Sequence, residues 1–292
     1  ALPISSMTSK TVTSTHSLEV RGLHKDFRLR RGWRFDTLHA VIDANFVLEP
    51  GRTVALVGES GSGKSTIARI IAKLETPTSG QVLLDGVDTA GRNTHLAAYR
   101  RQVQMVFQDP FASLNPFHSI AHHIERPLRI HHPGLSTAEV RQRAAELLER
   151  VQLGPAYLER HPHELSGGQR QRVAIARALA PGARFIIADE PVSMLDVSIR
   201  VGVLNLLADL QRDEGLGVLY ITHDLATARH FSDEILVMHH GVIVERGPAD
   251  DVILNPQHDY TKALREAAAD PDRLGRLRDE VRAERRGRPG EN

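Results

Sequence analysis

The sequence predicts an α/β fold with a largely parallel sheet that is covered on both faces. Short runs rich in β-branched residues alternate with longer stretches of helical character, which is typical of strands buried between two layers of helices. The runs are TVALVG at 53–58, RFIIAD at 184–189, GVLYIT at 217–222 and EILVM at 234–238. Ligands in such sheets bind beyond the carboxyl ends of the strands, so the residues after each run are the candidates for function.

A glycine-rich loop follows the first run. Gly58, Gly63, Lys64 and Ser65 satisfy the pattern G-x-x-x-x-G-K-[ST] between a predicted strand and the helical stretch TIARIIAKL. Glycines let the backbone curl so that its N–H groups point at a phosphate, lysine neutralises phosphate oxygens, and the serine hydroxyl is a ligand for Mg²⁺. The sequence therefore predicts nucleotide binding by Gly58, Glu59, Ser60, Gly61, Ser62, Gly63, Lys64, Ser65 and Thr66.

Polar residues also follow three other apolar runs. Asp189 is the last residue of the run at 184–189, and Glu190 follows it. We expect Asp189 to hold Mg²⁺ and Glu190 to orient and deprotonate the attacking water. His223 follows the next run, where it can reach a γ-phosphate, and the amide of Gln108 can contact Mg²⁺ or the water. The expected catalytic residues are therefore Glu190, His223, Gln108 and Lys64, and the expected metal ligands are Ser65, Gln108 and Asp189.

The region from about 109 to 180 is predicted to be a helical subdomain inserted into the sheet domain, because proline-punctuated helical segments replace the alternating pattern there. Its clearest helix, within 136–153, begins with the capping-box pair Ser136 and Glu139. Apolar residues follow at helical spacing, namely Val140, Ala144, Leu147, Leu148 and Val151.

A second glycine segment, ELSGGQRQR at 164–172, opens another predicted helix. Exposed N–H groups at a helix start form an anion site. The chain thus contains two candidate phosphate-binding segments, although one suffices to bind one nucleotide. We call the loop at 58–66 the first cradle and the segment at 164–172 the second cradle.

Composition limits the possible functions. The 292 residues have a formal charge of +1, which favours no general attraction to nucleic acid. The absence of cysteine excludes disulfides and thiolate metal sites, and no apolar run approaches the roughly 18 to 20 residues that cross a bilayer. We expect a tail or cloning remnant at 1–17, a main domain at 18–255, and an extension at 256–292 whose end is mobile. The histidine pairs at 122–123, 131–132 and 239–240 are expected to be solvated rather than metal-binding.

These motifs in this order, GESGSGKST, VFQDP, LSGGQ, FIIADEP, SMLD and ITHD, resemble the ATP-binding subunit of an ABC transporter over about residues 18–270. The resemblance implies a RecA-like P-loop NTPase core with an antiparallel β subdomain and the inserted helical subdomain. It also implies a head-to-tail dimer in which each ATP lies between the first cradle of one subunit and the LSGGQ of the other, which gives the second cradle a purpose. The residues implied to contact ATP in trans are Leu165, Ser166, Gly167, Gly168, Gln169 and Asp196. Phe27 is similar to the aromatic residue that stacks on adenine, with Trp33 and Phe35 as alternatives.

Two stretches, QDPFASLNP at 108–116 and NPQHDYTKAL at 255–264, resemble the ATPases of oligopeptide, dipeptide and nickel importers. The resemblance implies two permeases, a second ATPase that is either a sister chain or a second copy, and indirectly a solute-binding protein, at the cytoplasmic face of the inner membrane. We lean toward a sister chain. Asp259 stands where that family usually has proline, and without cysteines we expect no iron-sulfur cluster.

Other functions are kept as alternatives. The nearest is the ATPase of a soluble enzyme complex, such as one for phosphonate breakdown; within the importers, nickel or an oligosaccharide is the alternative cargo. DNA-repair and translation-factor ABC proteins are not favoured, because they would require a long coiled-coil insertion or tandem domains, and this sequence shows neither. If the segment 108–116 receives a permease, Phe111→Asp or Leu114→Asp should uncouple uptake from ATP hydrolysis.

Overall fold

The computed structural model describes residues 16–31, 34–90 and 96–269. Within these residues the strands are β1 (Leu18–Arg31), β2 (Arg34–Leu48), β3 (Thr53–Val57), β4 (Ser79–Leu84), β5 (Val87–Asp88), β6 (Val103–Val106), β7 (Phe185–Asp189), β8 (Gly217–Thr222), β9 (Glu234–His239) and β10 (Val242–Pro248). The helices are α1 (Lys64–Ile71), α2 (Leu96–Gln102), α3 (Pro110–Ser113), α4 (Ile120–His131), α5 (Thr137–Arg150), α6 (Gly167–Leu179), α7 (Val197–Glu214), α8 (Leu225–Phe231), α9 (Ala249–Leu254) and α10 (Asp259–Ala269).

The strands form two sheets. The larger has the order β10-β9-β3-β8-β7-β6, and its strands from β9 to β6 run parallel, while β10 is antiparallel to β9. The smaller is antiparallel with the order β2-β1-β4-β5. The predicted α/β fold with an additional antiparallel sheet is thereby confirmed.

The larger sheet separates two hydrophobic cores. Every residue of β3 is buried, and successive side chains of a strand point to opposite faces. Val54 and Leu56 accordingly enter the core shared with α1 and the antiparallel sheet, whereas Ala55 and Val57 enter the core shared with helices α4 to α8. Burial on both faces explains why β3 reads as an uninterrupted apolar run.

Helices α3 to α6 lie between β6 and β7 in the chain. The capping box of α5 is present: Ser136 Oγ accepts from the Glu139 N–H at 3.3 Å, and the Glu139 carboxylate accepts from the Ser136 N–H at 2.7 Å. The five apolar residues predicted on one face of this helix are all buried. Gln152 has a φ of +58°, in the left-handed region, and the helix ends before it.

The chain ends are described only in part. Residues 1–15 and 270–292, which include most of the expected tails, lie outside the described residues. Within the part of the chain that is described, no helix combines the length and apolar character that spanning a membrane requires.

Candidate active site

The loop at 58–66 connects β3 to α1, and two of its glycines are required by their surroundings. Gly58 and Gly63 have φ values of +152° and +115°. A Cβ on Gly58 would lie 2.2 Å from the carbonyl oxygen of Met238, and a Cβ on Gly63 would lie 2.2 Å from that of Ala40. Both contacts are far too short, so the loop fits against β2 and β9 only with glycine at these two positions.

Lys64 begins α1, and its side chain turns back over the loop. Its Nζ donates to the carbonyl oxygens of Gly58 and Glu59, each at 2.7 Å, and to Ser62 Oγ at 3.4 Å. Burial lowers the pKa of Lys64 to about 8, although nearby carboxylates, of which Glu190 acts most strongly, favour the ammonium form. A bound phosphate would supply the further negative charge that stabilises a buried ammonium group.

Ser65 and Asp189, two of the predicted metal ligands, are in contact with each other. Ser65 Oγ donates to Asp189 Oδ1 at 3.1 Å. Asp189 is buried at the end of β7, and burial raises its pKa, to which the charge of Glu190 adds. A divalent cation would provide the positive charge that this buried carboxylate requires, and hydroxyl and carboxylate oxygens suit Mg²⁺. The two residues therefore fit the predicted metal.

Glu190 lies between Gln108 and His223. Gln108 Nε2 donates to Glu190 Oε2 at 3.0 Å, and His223 Nδ1 lies 3.3 Å from Glu190 Oε1. The three residues follow β6, β7 and β8, which are neighbours in the sheet. Side chains that are 82 and 33 positions apart in the sequence thus meet at one edge of the sheet, as the strand-end argument predicts.

A tight turn orients Glu190. Its φ of +47° lies in the left-handed region, which is uncommon for a residue other than glycine. Its N–H donates to the carbonyl of Ile221 at 2.9 Å, and its own carbonyl accepts from Ser193 Oγ at 3.0 Å. These bonds hold a conformation that would otherwise be unfavourable.

The contact between Glu190 and His223 changes the pKa of both groups. The hydrogen bond from His223 lowers the pKa of Glu190 below its usual range, against the effect of burial. The same bond raises the pKa of His223, again against burial. At neutral pH the carboxylate is therefore ionised, as a general base must be.

Of the three aromatic candidates for adenine, the structure describes the side chain of Phe27 alone. Phe27 is half-buried in β1, and Lys25 Nζ lies 4.8 Å from the centroid of its ring. Trp33 lies outside the described residues, as does the side chain of Phe35. The assignment of an adenine-stacking residue stays a prediction.

The second glycine segment begins α6 as expected. Ser166 caps the helix: its Oγ accepts from the Gln169 N–H at 3.3 Å, and Gln169 Oε1 accepts from the Ser166 N–H at 2.9 Å. Gln169 Nε2 also donates to the hydroxyl of Tyr157 at 2.9 Å. The side chain of Gln169 is thus used within its own chain, while the N–H groups of the first helical turn have no partner inside the helix.

The other residues assigned to the second cradle differ in exposure. Ser166 and Asp196 are exposed, and Asp196 precedes the first turn of α7. Leu165 and Gly168 are buried in the same chain. Their contact with a nucleotide bound to another subunit stays a prediction.

Sequence reasoning missed one residue next to the first cradle. The hydroxyl of Tyr260, in α10, accepts a hydrogen bond from the N–H of Glu59 at 3.1 Å. Tyr260 belongs to the segment NPQHDYTKAL, which the sequence marks only as a subfamily resemblance. A contact across 201 positions leaves no local pattern, so no signal in the sequence could have revealed it.

Comparison with known proteins places this geometry in a family. The sequence model of the ABC transporter family matches residues 41–193, just over half of the chain. The chain belongs to the ABC transporter family. This ABC protein is an ATP-binding cassette and an ATPase, which confirms the resemblance inferred from the motifs.

Two relatives represent the similarity of the cassette to curated proteins. The oligopeptide transport ATP-binding protein OppF of Bacillus subtilis (strain 168) is 48% identical over 257 residues, which cover 87% of this chain and 83% of OppF. The glutathione import ATP-binding protein GsiA of Salmonella typhi is 48% identical over 264 residues, which cover 88% of this chain but 42% of GsiA. Both names are those of transport or import proteins, which favours an importer over a soluble enzyme complex.

Solved structures agree with the fold of the cassette. The ATP-binding cassette MJ0796, in a dimeric post-hydrolysis state bound to ADP and Pi, has a TM-score of 0.71 and 32% identity, and the match covers 80% of this chain and 98% of MJ0796. The structure of cbiO1 from Clostridium perfringens, part of the ABC transporter complex cbiONQ, has a TM-score of 0.71 and 26% identity over 90% of this chain and 99% of cbiO1.

Proposed function

We propose that this cassette powers the import of peptides or similar small solutes through partner permeases. The observation that carries the chemistry is the position of Glu190, held by Gln108 and His223 beside the pair Ser65 and Asp189. The names of the relatives support the direction of transport and the class of cargo, because OppF is an oligopeptide transport protein and GsiA a glutathione import protein.

Within one subunit the expected residues divide the work on MgATP. The N–H groups of the glycine loop and Lys64 would hold the phosphates, while Ser65, Asp189 and Gln108 would hold Mg²⁺. The ion, when bound, neutralises charge that develops on the phosphates. Glu190 accepts a proton from the attacking water, and His223 orients Glu190 toward that water.

The second cradle serves the nucleotide of a neighbouring subunit. The start of α6, with Ser166 exposed, would enclose the γ-phosphate that the neighbour's glycine loop holds from the other side. Hydrolysis removes the group that joins the two subunits, so the chemistry is converted into motion. The dimeric MJ0796 structure supports this arrangement. The partner is either a sister ATPase or a second copy.

The permeases dock on the segment from Gln108 to Pro116 and its surroundings. Three phenylalanines there are exposed, Phe107, Phe111 and Phe117, the last of them to 87%. Large apolar side chains that are exposed close together in the sequence are candidates for a site of protein association. Docking on permeases would place the cassette at the cytoplasmic face of the membrane.

Leu114 does not belong to the same surface. It is only 1% exposed and packs in the core with the inserted helices. The expectation that Leu114→Asp uncouples transport is therefore revised: a buried aspartate without a partner would destabilise the fold instead.

The decisive experiment uses Glu190→Gln. This change removes the base but keeps the shape of the side chain, so turnover should fall at least about 100-fold while ATP still binds and the dimer stays closed. The tagged variant is purified from native membranes in mild detergent with MgATP, and co-purifying chains are identified by mass spectrometry. Two permeases, with or without a second ATPase, are the expected result.

Glu149→Gln, a change of the same kind on the exposed surface of α5, serves as the matched control and should retain turnover. Recovery of Glu190→Gln only from the soluble fraction, together with metabolic enzymes, would overturn the transport function. Turnover equal to that of the wild type would remove Glu190 from the role of base.

A further inference from the structure

The segment from Asn255 to Ala269 contacts β9 and β10 and reaches the first cradle from that side of the sheet. Glu245 in β10 fixes its course: the Glu245 carboxylate accepts from the N–H groups of Gln257 at 2.7 Å and His258 at 3.0 Å. Although burial acts in the opposite direction, these hydrogen bonds hold the pKa of Glu245 below its usual range. The start of α10 is therefore set by a charge-assisted contact with the main sheet.

One face of α10 is buried against the domain. Its buried residues are Tyr260, Thr261, Leu264 and Ala267. Their spacing of one, three and three positions follows the helical repeat, so a single stripe of the helix packs inward. The extension is thus part of the folded cassette as far as the described residues reach.

Tyr260 brings this helix into contact with the glycine loop. Its side chain is buried, and its ring stacks on His239 at the end of β9 with a centroid distance of 3.8 Å and an interplanar angle of 27°. Its hydroxyl accepts from the N–H of Glu59 at 3.1 Å. Burial, together with the nearby charge of Glu59, raises the pKa of Tyr260, so the hydroxyl keeps its proton.

The contact continues to the lysine that holds the phosphates. The carbonyl of the same Glu59 accepts from Lys64 Nζ at 2.7 Å. Beside it, the N–H of Gly241, two residues beyond His239, donates to the carbonyl of Ser62 at 2.8 Å. The loop is thus held by hydrogen bonds at two backbone positions, the N–H of Glu59 and the carbonyl of Ser62. The stacking of Tyr260 on His239 links these two contacts.

We propose that Tyr260 is a positioning residue for nucleotide binding: by fixing the peptide of Glu59 it holds the glycine loop and Lys64 in the geometry that accepts phosphate. The C-terminal extension then supports the nucleotide site through its contact with the glycine loop. The proposal rests on the assignment of the 58–66 loop to ATP. Tyr260 touches none of the groups that carry out hydrolysis, so its effect belongs to binding.

Tyr260→Phe tests this role because it removes only the hydroxyl. We expect the KM for MgATP hydrolysis to rise about 3- to 10-fold, the factor that corresponds to one ordinary hydrogen bond, with kcat unchanged within about twofold. The Kd for ATP, measured by calorimetry with Glu190→Gln present to prevent turnover, should rise by the same factor.

Tyr99→Phe is the matched control. The hydroxyl of Tyr99 is also buried and donates to a backbone carbonyl, that of Ile71, at the far end of α1 from the loop. Its loss should lower stability without changing KM. An unchanged KM and Kd in Tyr260→Phe, or an equal rise in both variants, would overturn the proposal.

Two further measurements separate the possible failures. Lys64→Ala must weaken ATP binding if the loop binds the phosphates, and unchanged binding in this variant would overturn the assignment of the site. If Lys64→Ala weakens ATP binding but Tyr260→Phe binds ATP normally, only the proposed role of Tyr260 is overturned. Coupling is also reciprocal, so ADP should slow hydrogen exchange in wild-type peptides that cover 257–264. Unchanged exchange there would contradict the proposal without the use of any variant.

Discussion

At the scale of single residues, the position of Glu190 depends on two features that act together. The left-handed backbone turns the side chain away from the strand direction, and Gln108 and His223 then hold one carboxylate oxygen each. A general base fixed on both sides loses little entropy when a water molecule binds to it. The cost is a left-handed conformation, which is held by the bond from the Glu190 N–H to the Ile221 carbonyl and by the bond from Ser193 Oγ to the Glu190 carbonyl.

The pKa of His223 gives a direct test of this pair. Because the bond to Glu190 is the main cause of its raised pKa, Glu190→Gln should lower the pKa of His223 toward or below about 6.5, its ordinary value. The imidazole is titrated by NMR, with its resonance identified through its loss in His223→Gln. Asp250→Asn, at an exposed position of α9, should leave the titration unchanged. An identical pKa in Glu190→Gln would contradict the proposed contact.

The same pKa shifts determine the pH range in which the pair of Glu190 and His223 stabilises the fold. The pKa of His223 is raised, so its contribution is complete below about pH 6.5 and is lost as the pH rises through the folded pKa. The pKa of Glu190 is lowered, so its contribution is present above about pH 4.5 and is lost as the pH falls through the folded pKa. The stabilisation is therefore greatest between these limits.

Sequence patterns predict residues of this kind well when a strand end determines their place. Gln108, Asp189, Glu190 and His223 each follow an apolar run, and parallel strands bring such residues to one edge. The pattern does not show which atoms bond, because the turn that selects the direction of Glu190 depends on a carbonyl of another strand. His239 was expected to be solvated, yet its ring stacks on Tyr260.

At the scale of secondary-structure elements, α6 shows how one sequence meets two requirements. Its first turn must present N–H groups, and it must also lie against α7. A Cβ on Gly168 would come within 2.4 Å of Ile199 Cγ2. The glycine that looks like part of an anion site is therefore also needed for the packing of two helices.

Gly168→Ala should accordingly destabilise the fold even without nucleotide. Overpacking against Ile199 is expected to lower the free energy of unfolding by about 1–3 kcal/mol, measured by chemical denaturation of the apoprotein. Gly134→Ala is the control, since a Cβ there meets nothing within 4 Å. In a double-mutant cycle, Ile199→Ala should relieve the clash; strictly additive effects would argue against it.

The sequence could predict the start of α6 but not this second role. The capping pattern of Ser166 and Gln169 is local, whereas Ile199 lies thirty-one positions after Gly168 and meets it only through the packing of α6 and α7. Leu114 illustrates the same limit: its neighbours in the sequence suggest an exposed loop, and the fold buries it.

At the scale of the whole molecule, the proposed docking segment is connected to the second cradle. The guanidinium of Arg170, in α6, lies 4.0 Å from the centroid of the Phe111 ring. Such cation–π contacts are worth about 0.5–1 kcal/mol at exposed sites. A permease that binds Phe111 would therefore act on the helix whose N-terminus we propose to face the neighbouring nucleotide.

Phe111→Asp should uncouple uptake from ATP hydrolysis. The change removes apolar docking surface, yet an aspartate can still pair with Arg170, and the N–H of residue 111 can still donate to the Asp109 side chain. Solute uptake in cells that carry the complete transporter should fall at least about tenfold, while basal ATP hydrolysis by the purified subunit stays within about twofold. Val87→Asp, at an apolar position in β5 that is even more exposed than Phe111, is the control. Loss of ATP hydrolysis in Phe111→Asp would argue against the docking site.

The order of the strands also governs how the chain folds as it leaves the ribosome. β3 precedes the glycine loop near the N-terminus, but its two neighbours, β8 and β9, are made last among the parallel strands. At 5–20 residues per second, the roughly 180 residues between Val57 and His239 take about 10–40 s to synthesise. Until β8 is made, β3 has both edges unpaired, and Ala55 and Val57 lack the later helices that complete their core. A nascent cassette must therefore be protected from aggregation until the sheet closes, and the contact of Tyr260 with the loop forms only after that point.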